Sequence, residues 1–462
     1  MVDKQMLKDV IEQTAASPAV ALDRSTTFLH KVVQTYRKKV RFKKIGGYWD
    51  MLGPGLTTGA ADDDPSGIAT YSQTGAQTGL QLLWLSVVTF PLMSIVQEMC
   101  ARIGVVTGRG LAGNIRKYYH RYIIYATTIL LFITNTLNLG ADLGAMAQGV
   151  HLLYPKLPFV LLVIAFSLFI LLLLIFASYK TYAKYLKWLA FILFTYIFSA
   201  LSITGINYKE VLVHTFIPSI SFNKDQLFLI TAILGTTISP YLFFWQTSQE
   251  NEEQILEGET TIQERQESVT KKTIREIRYD VWIGMFISNL VMFFIIVACA
   301  FTLHVHGVTT IATAAQAAGA LKPIAGDRAY LFFALGIIGS GLLAIPVLAG
   351  SASYALSESL RWKLGLYKNL KQASSFYGVI IFAMIIGIII NLIGLDPIKT
   401  LIYSAVLNGL IAPFVLFFIV KISSNKSIMN GRANHPAITA IGWITTGVMT
   451  IVAAATILSF FL

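Results

Sequence analysis

Residues 159–177 read FVLLVIAFSLFILLLLIFA, nineteen residues with one hydroxyl and no charge. Wound as a helix at about 1.5 Å per residue, such a run crosses the ~30 Å hydrocarbon core of a bilayer. Residues 374–394, SSFYGVIIFAMIIGIIINLIG, do the same. A helix buried in a soluble core would need a polar stripe at helical spacing, and neither run has one. Charged residues make up only 13% of the chain, against roughly 25% in soluble proteins. The chain therefore reads as an all-α polytopic membrane protein. Residues 1–46 are polar and basic, without the apolar stretch of a cleavable signal.

Eleven spans are expected, at about 47–78, 80–103, 122–150, 157–177, 183–205, 226–248, 279–303, 329–355, 374–394, 398–420 and 437–461. With the N-terminus in the cytoplasm, 30 of the 36 Lys and Arg residues fall on inner segments. Such a bias is the positive-inside pattern. The expected organisation is a basic cytoplasmic segment, 1–46, and one transmembrane domain, 47–461, in the cell membrane. The run RKKVRFKK (37–44) is read as attraction to anionic lipid rather than to nucleic acid. Residues 250–278 are expected as a solvated cytoplasmic loop or surface helix. Cys100 and Cys299, at opposite faces in this topology, read as packing residues. Glu98, Asn289, Asn391 and Asn408 read as interhelical hydrogen-bonding groups, and His304 and His306 as polar loop residues. Nucleophile–base pairings and phosphate loops are lacking, so neither an enzyme nor a bound cofactor is expected. The expected working unit is a monomer in the lipid bilayer.

Two spans carry helix breakers. In the first, GAADDDPSGIATY (59–71) sets Asp62, Asp63 and Asp64 directly before Pro65, Ser66 and Gly67. In the sixth, GTTISPYLFFWQTSQ (235–249) places Thr236, Thr237 and Ser239 around Pro240. Proline has no N–H to donate and clashes with the preceding turn. Backbone groups freed in this way survive in a membrane only where protein or a wet cavity supplies partners. The two spans run in opposite directions, and each opens a set of five. Interrupted helices at matching places in two inverted halves point to a transporter's central site. The halves are expected at about 47–205 and 226–420, with an extra helix at 437–461.

Alone, the sixth-span proline reads as a kink. Three carboxylates do not read so easily, because acids inside a membrane mark an ion or substrate path. Asp64 adjoins the break and is the ligand candidate. Asp62 and Asp63 point elsewhere, since successive helical residues turn by about 100°. They are expected to line the access route, to pair with cytoplasmic basic groups, or to sit protonated.

These residues carry a resemblance. DDDPSGIATYSQTGAQTGLQLLW (62–84) resembles the first-span region of Nramp divalent-metal transporters, whose signature there is Asp-Pro-Gly-Asn. QEMCARIGVVTGRGLAG (97–113) is similar to the end of the family's second span, and LGADLGAMAQG (139–149) to its third. LGTTISPYLFFW (234–245) falls on the family's Met-Pro-His region of the sixth. The resemblance implies a LeuT-type 5+5 inverted repeat, ten core helices with one extra, and broken helices 1 and 6. It implies metal-binding positions at Asp64, Gly67, Thr236 (through its carbonyl) and Ser239.

The sequence departs from the family at several of these positions. Ser66 replaces the motif's glycine and Gly67 its asparagine. Ser239 stands at the metal-binding methionine and Tyr241 at the histidine. Asn135 and Ala145 align with acidic proton-path positions, while Asp142 remains acidic. Losing a thioether shifts preference away from softer metals towards Mg²⁺ or Mn²⁺, and Mg²⁺ binds one or two carboxylates while keeping several waters. The sequence is thus most like the Nramp-related magnesium-transporter branch. The expected function is a carrier of Mg²⁺, and Mn²⁺ with it, by alternating access without obligatory proton coupling. The alternatives left open are a proton-coupled Mn²⁺/Fe²⁺ symporter using Asp142 with Asp62 or Asp63, a carrier of another small solute, and a channel.

Overall fold

The computed structural model describes residues 53–461 apart from 177–193, 204–205, 222, 312 and 323–325. The expected cytoplasmic segment 1–46 and most of the span placed at 183–205 lie outside the described residues. The first expected span is two helices, α1 (Pro54–Asp62) and α2 (Pro65–Thr78). Then come α3 (Trp84–Thr107), α4 (Leu111–Tyr118), α5 (Arg121–Leu153), α6 (Phe159–Phe176) and α7 (Phe194–Ser202). After a short α8 (Tyr208–Phe216), the sixth expected span is again divided, into α9 (Lys224–Thr237) and α10 (Pro240–Leu256). The chain continues through α11 (Ile262–Ser268), α12 (Lys271–Thr302), α13 (Ala314–Ala318) and α14 (Ala329–Leu360). It finishes with α15 (Ser374–Leu392), α16 (Pro397–Ser424) and α17 (Pro436–Ser459).

Among the described residues, nine helical stretches are long and apolar enough to cross a membrane, with α9 and α10 taken as one. The first span is not among them, because its break leaves both halves short. α6 shows what surrounds such helices. Val163, Ser167, Ile170 and Leu174 form one buried stripe at helical spacing, while Leu161, Leu168, Phe169 and Leu172 stand exposed. An outward face of that kind suits hydrocarbon and not water.

Glycines let the broken helices sit close to their neighbours. A Cβ built on Gly59 would lie 2.4 Å from the Gly284 backbone, so α1 and α12 cross with their main chains in contact. Gly235 of α9 meets α16 in the same way: its Cβ would stand 2.0 Å from Ala405 O. Small residues at such crossings allow the backbone approach on which membrane helices depend for packing. α1 has no cap of its own at Gly53. Asp280, on α12, supplies one by accepting from Gly53 N (3.1 Å), Gly55 N (2.7 Å) and Leu56 N (3.2 Å).

Two expectations need correction here. Residues 250–278 are not simply a solvated loop. α10 continues to Leu256, and Glu250, Asn251, Glu252 and Gln254 are buried. α12 begins at Lys271, before the expected start at 279. Tertiary packing buries this polar stretch, and hydrophobicity alone could not show that. Among the described residues Asn408 has no hydrogen bond between helices: both its side-chain polar atoms are buried without a partner there. The other three do act across helices. Glu98 accepts from Arg278 Nε (2.9 Å) and Trp282 Nε1 (3.0 Å), Asn391 donates to Gly140 O (2.7 Å), and Asn289 accepts from Thr89 Oγ1 (3.0 Å). His304 and His306 each place Nδ1 against a backbone carbonyl, of Ala76 and Thr302 respectively.

Candidate functional site

The α1/α2 break is two residues long. Asp63 (φ −82°, ψ 49°) leaves the helix and Asp64 (φ −69°, ψ 169°) is extended. The residue before a proline avoids helical backbone, so Pro65 forces this shape on Asp64. Pro65 then serves as the first residue of α2, where its missing N–H is not needed. Ile238 and Ser239 (φ −80°, ψ 128°) repeat the pattern before Pro240, the first residue of α10. The two breaks meet in space: Ser66 Oγ and Thr236 Oγ1 are 3.4 Å apart.

Asp64 is fully buried at this meeting point. Its Oδ1 accepts from Ser66 Oγ (2.6 Å) and from Gly67 N (2.7 Å), which caps α2. Its Oδ2 accepts from Asn138 Nδ2 (2.9 Å) and, more distantly, from Tyr241 OH (3.4 Å). Asn138, on α5, is aimed by Ser404 of α16, whose hydroxyl donates to Asn138 Oδ1 (2.6 Å). A carboxylate has about four lone-pair sites, and here four donors face them. A cation reaching Asp64 must take over at least one of those sites. The hydroxyls of Ser66 and Tyr241 are the donors that can turn away.

The remaining expected residues fall into distinct places. Gly67 is closely enclosed beside the break: a Cβ there would press at 3.3 Å on Asp62 O, Thr236 Oγ1 and the Tyr71 ring alike, closer than ordinary van der Waals contact. Ser239 Oγ donates to Gly235 O and Thr236 O, both at 2.7 Å, so it caps the freed carbonyls of α9. Tyr241 links the breaks by donating to Ala61 O (3.1 Å). Asp62 and Asp63 turn away from Asp64 towards α12, where Ser288 Oγ lies 2.6 Å from Asp62 Oδ2 and 3.2 Å from Asp63 Oδ1. Among the described residues, Ser288 and no basic group is the hydrogen-bonding partner that both acids share. Asn135 donates to Leu348 O (3.1 Å) and Ser351 Oγ (2.6 Å) on α14, outside the Asp64 cluster. Asp142 sits one turn beyond Asn138 on α5, buried, and among the described residues neither of its carboxylate oxygens has a hydrogen-bond partner. Among the described residues, no three His, Cys, Asp or Glu side chains are grouped as metal ligands.

Three members of this arrangement escape sequence reasoning: Asn138, Ser288 and Ser404. Asn138 carried a signal, since it stands four residues before Asp142 on the same helix and so shares its face. The two serines carried none, because lone hydroxyls in membrane helices usually bond their own backbone.

The family described as "Natural resistance-associated macrophage protein-like" (Nramp) matches residues 55–459. The divalent metal cation transporter MntH of Klebsiella pneumoniae subsp. pneumoniae is 26% identical over 405 residues, 86% of this chain and 91% of that one. The Eremococcus coleocola manganese transporter, solved with an aromatic bis-isothiourea compound, superposes with a TM-score of 0.66 at 20% identity, covering 88% of this chain and 87% of that chain. MhsT, solved with L-phenylalanine, shares the fold at a TM-score of 0.53 and 12% identity, over 88% of this chain and 98% of its own.

Proposed function

This chain belongs to the Nramp family, and from that premise we propose that it is a secondary carrier moving divalent metal cations across a membrane by alternating access. The relatives named above are transporters rather than enzymes. One observation supports the reading from within the molecule: Asp64 is a buried carboxylate held where two helix breaks meet. Broken backbone supplies carbonyls and the aspartate supplies charge, which is what a dehydrating cation needs.

Mn²⁺ is the leading cargo. The relatives carry "divalent metal cation" and "manganese" in their names, and this favours Mn²⁺ over the Mg²⁺ expected from the sequence. Mg²⁺ keeps a place as a second reading on one observation: the groups around Asp64 offer oxygen and nitrogen but no thioether. In this reading Asp64 is the anionic ligand, Gly67 keeps the break free of a side chain that would crowd it, and Thr236 and Ser239 offer oxygens once their mutual bond is released. Asp142, with Asp62 or Asp63, is the candidate proton path, for which Asn135 has no acid to contribute. The 5+5 inverted repeat, the cytoplasmic N-terminus and the monomeric working unit belong to the same proposal.

The deciding experiment is uptake into proteoliposomes at a set inside-negative potential, with Mn²⁺ and Mg²⁺ offered separately and a pH dye inside. Each divalent charge pair gains about 4.6 kcal/mol per 100 mV, so uphill uptake needs no proton. Mn²⁺ entry with acidification supports coupled symport; Mg²⁺ entry without it supports the second reading. If neither cation enters, the carrier proposal fails.

A further inference from the structure

A cavity of about 750 Å³ lies apart from Asp64. Its walls are the α3–α4 turn, α4, the last turns of α10, α11, the end of α14 and residues 361–368. That volume suits a small-molecule site. Seven basic side chains face two carboxylates there, with Arg109, Arg116, Lys117, Arg361, Lys363 and Lys368 among the seven. Both carboxylates already accept hydrogen bonds from the protein. Glu358 accepts from Gly110 N (2.9 Å) and Gly113 N (2.8 Å) at the start of α4. Glu252 accepts from the Tyr354 hydroxyl and from Leu366 N (2.7 Å).

Arg265, the seventh, is only 7% exposed. Its Nη groups are held by the carbonyls of Glu259, Thr260 and Gly108, while among the described residues its Nε and that of Arg109 are buried without a hydrogen-bond partner. Two aromatic side chains of the wall, Trp362 and Tyr367, stay 39% and 37% exposed. The positive-inside rule accounts for basic residues between spans; it does not draw them onto one concave wall beside a part-exposed Trp362.

We propose that this cavity binds a phosphate-bearing anion of the nucleoside polyphosphate class. Arg and Lys take the phosphates through charge-assisted hydrogen bonds, and Trp362 stacks the base, the Tyr367 ring already carrying Lys368 Nζ 5.2 Å from its centroid. The occupant would bridge α10, which begins at the second break, to α14 and the 361–368 loop. Binding there would restrain α10 against α14. The proposal goes beyond the transport reading and does not depend on it.

The test uses the full-length protein in neutral detergent with EDTA present, so that metal chelation plays no part. ATP and inorganic pyrophosphate are titrated against intrinsic tryptophan fluorescence, and phosphatidylglycerol nanodiscs without nucleotide form a separate arm read by native mass spectrometry. The expected result is saturable ATP binding that pyrophosphate displaces. It should weaken about tenfold per lost contact in Lys363→Ala and Lys368→Ala. Trp362→Ala, which lacks the cavity's tryptophan and is therefore read by native mass spectrometry, should weaken ATP more than pyrophosphate. Retention of phosphatidylglycerol alone, lost in the lysine variants, would assign the phosphate to a lipid headgroup and overturn the nucleotide class. Absence of saturable binding in both arms, or equal binding by wild type and the lysine variants, would overturn the site itself.

Discussion

Tyr241 reaches from one helix break to the other: its hydroxyl lies 3.1 Å from Ala61 O and 3.4 Å from Asp64 Oδ2. One hydrogen therefore serves both a freed carbonyl and the buried carboxylate. The longer contact is the weaker one, so Tyr241 sits at the edge of the Asp64 cluster while Ser66, Gly67 and Asn138 form its centre.

Tyr241→Phe keeps the ring and removes that hydrogen. Uptake should persist with an apparent affinity changed by less than about tenfold, and thermal stability should fall by about 0.5–1.5 kcal/mol. Transport kinetics and a melting curve on the purified variant check both numbers.

Asp64→Asn preserves shape and removes charge. Divalent uptake should drop by about a hundredfold or more, because an amide is a far weaker cation ligand than a carboxylate. The variant should still elute as a folded carrier on size exclusion. Uptake at the unmodified rate would show that the cation does not depend on Asp64.

Ser239→Met places a thioether at the second break. Softer cations should gain over Mg²⁺ in competition assays, with Cd²⁺ the sensitive probe. The larger side chain is expected to cost about 1–3 kcal/mol of stability in this packed position. Unchanged selectivity would assign Ser239 to capping α9 alone.

Asp280→Ala removes the three acceptor contacts that cap α1. Bonds to a charged group are worth roughly 1.5–3 kcal/mol each, so α1 should loosen while α2 keeps its own cap at Asp64. Hydrogen exchange should speed up across residues 53–58 and stay unchanged across 67–75. Equal protection of both helices in the variant would remove Asp280 from this role.

The sequence by itself determined the membrane setting, the places of both breaks and the singling out of Asp64. These are local matters: long apolar runs admit few environments, and Pro65 and Pro240 dictate backbone shape wherever they stand. What only the tertiary structure decided is which groups meet. Asn138, Ser404 and Tyr241 come from three other helices to surround Asp64, and no spacing along the chain encodes that convergence. Asp62 and Asp63 were legible as buried acids, yet their turn towards Ser288 depends on α1 crossing α12 at Gly59 and Gly284. The same holds for Glu250 and Glu252, polar residues that looked solvated until packing closed over them. Sequence specifies local backbone geometry and partition between lipid and water, whereas the partners of a buried polar group are set by side chains distant in the chain that packing brings within 3 Å or so.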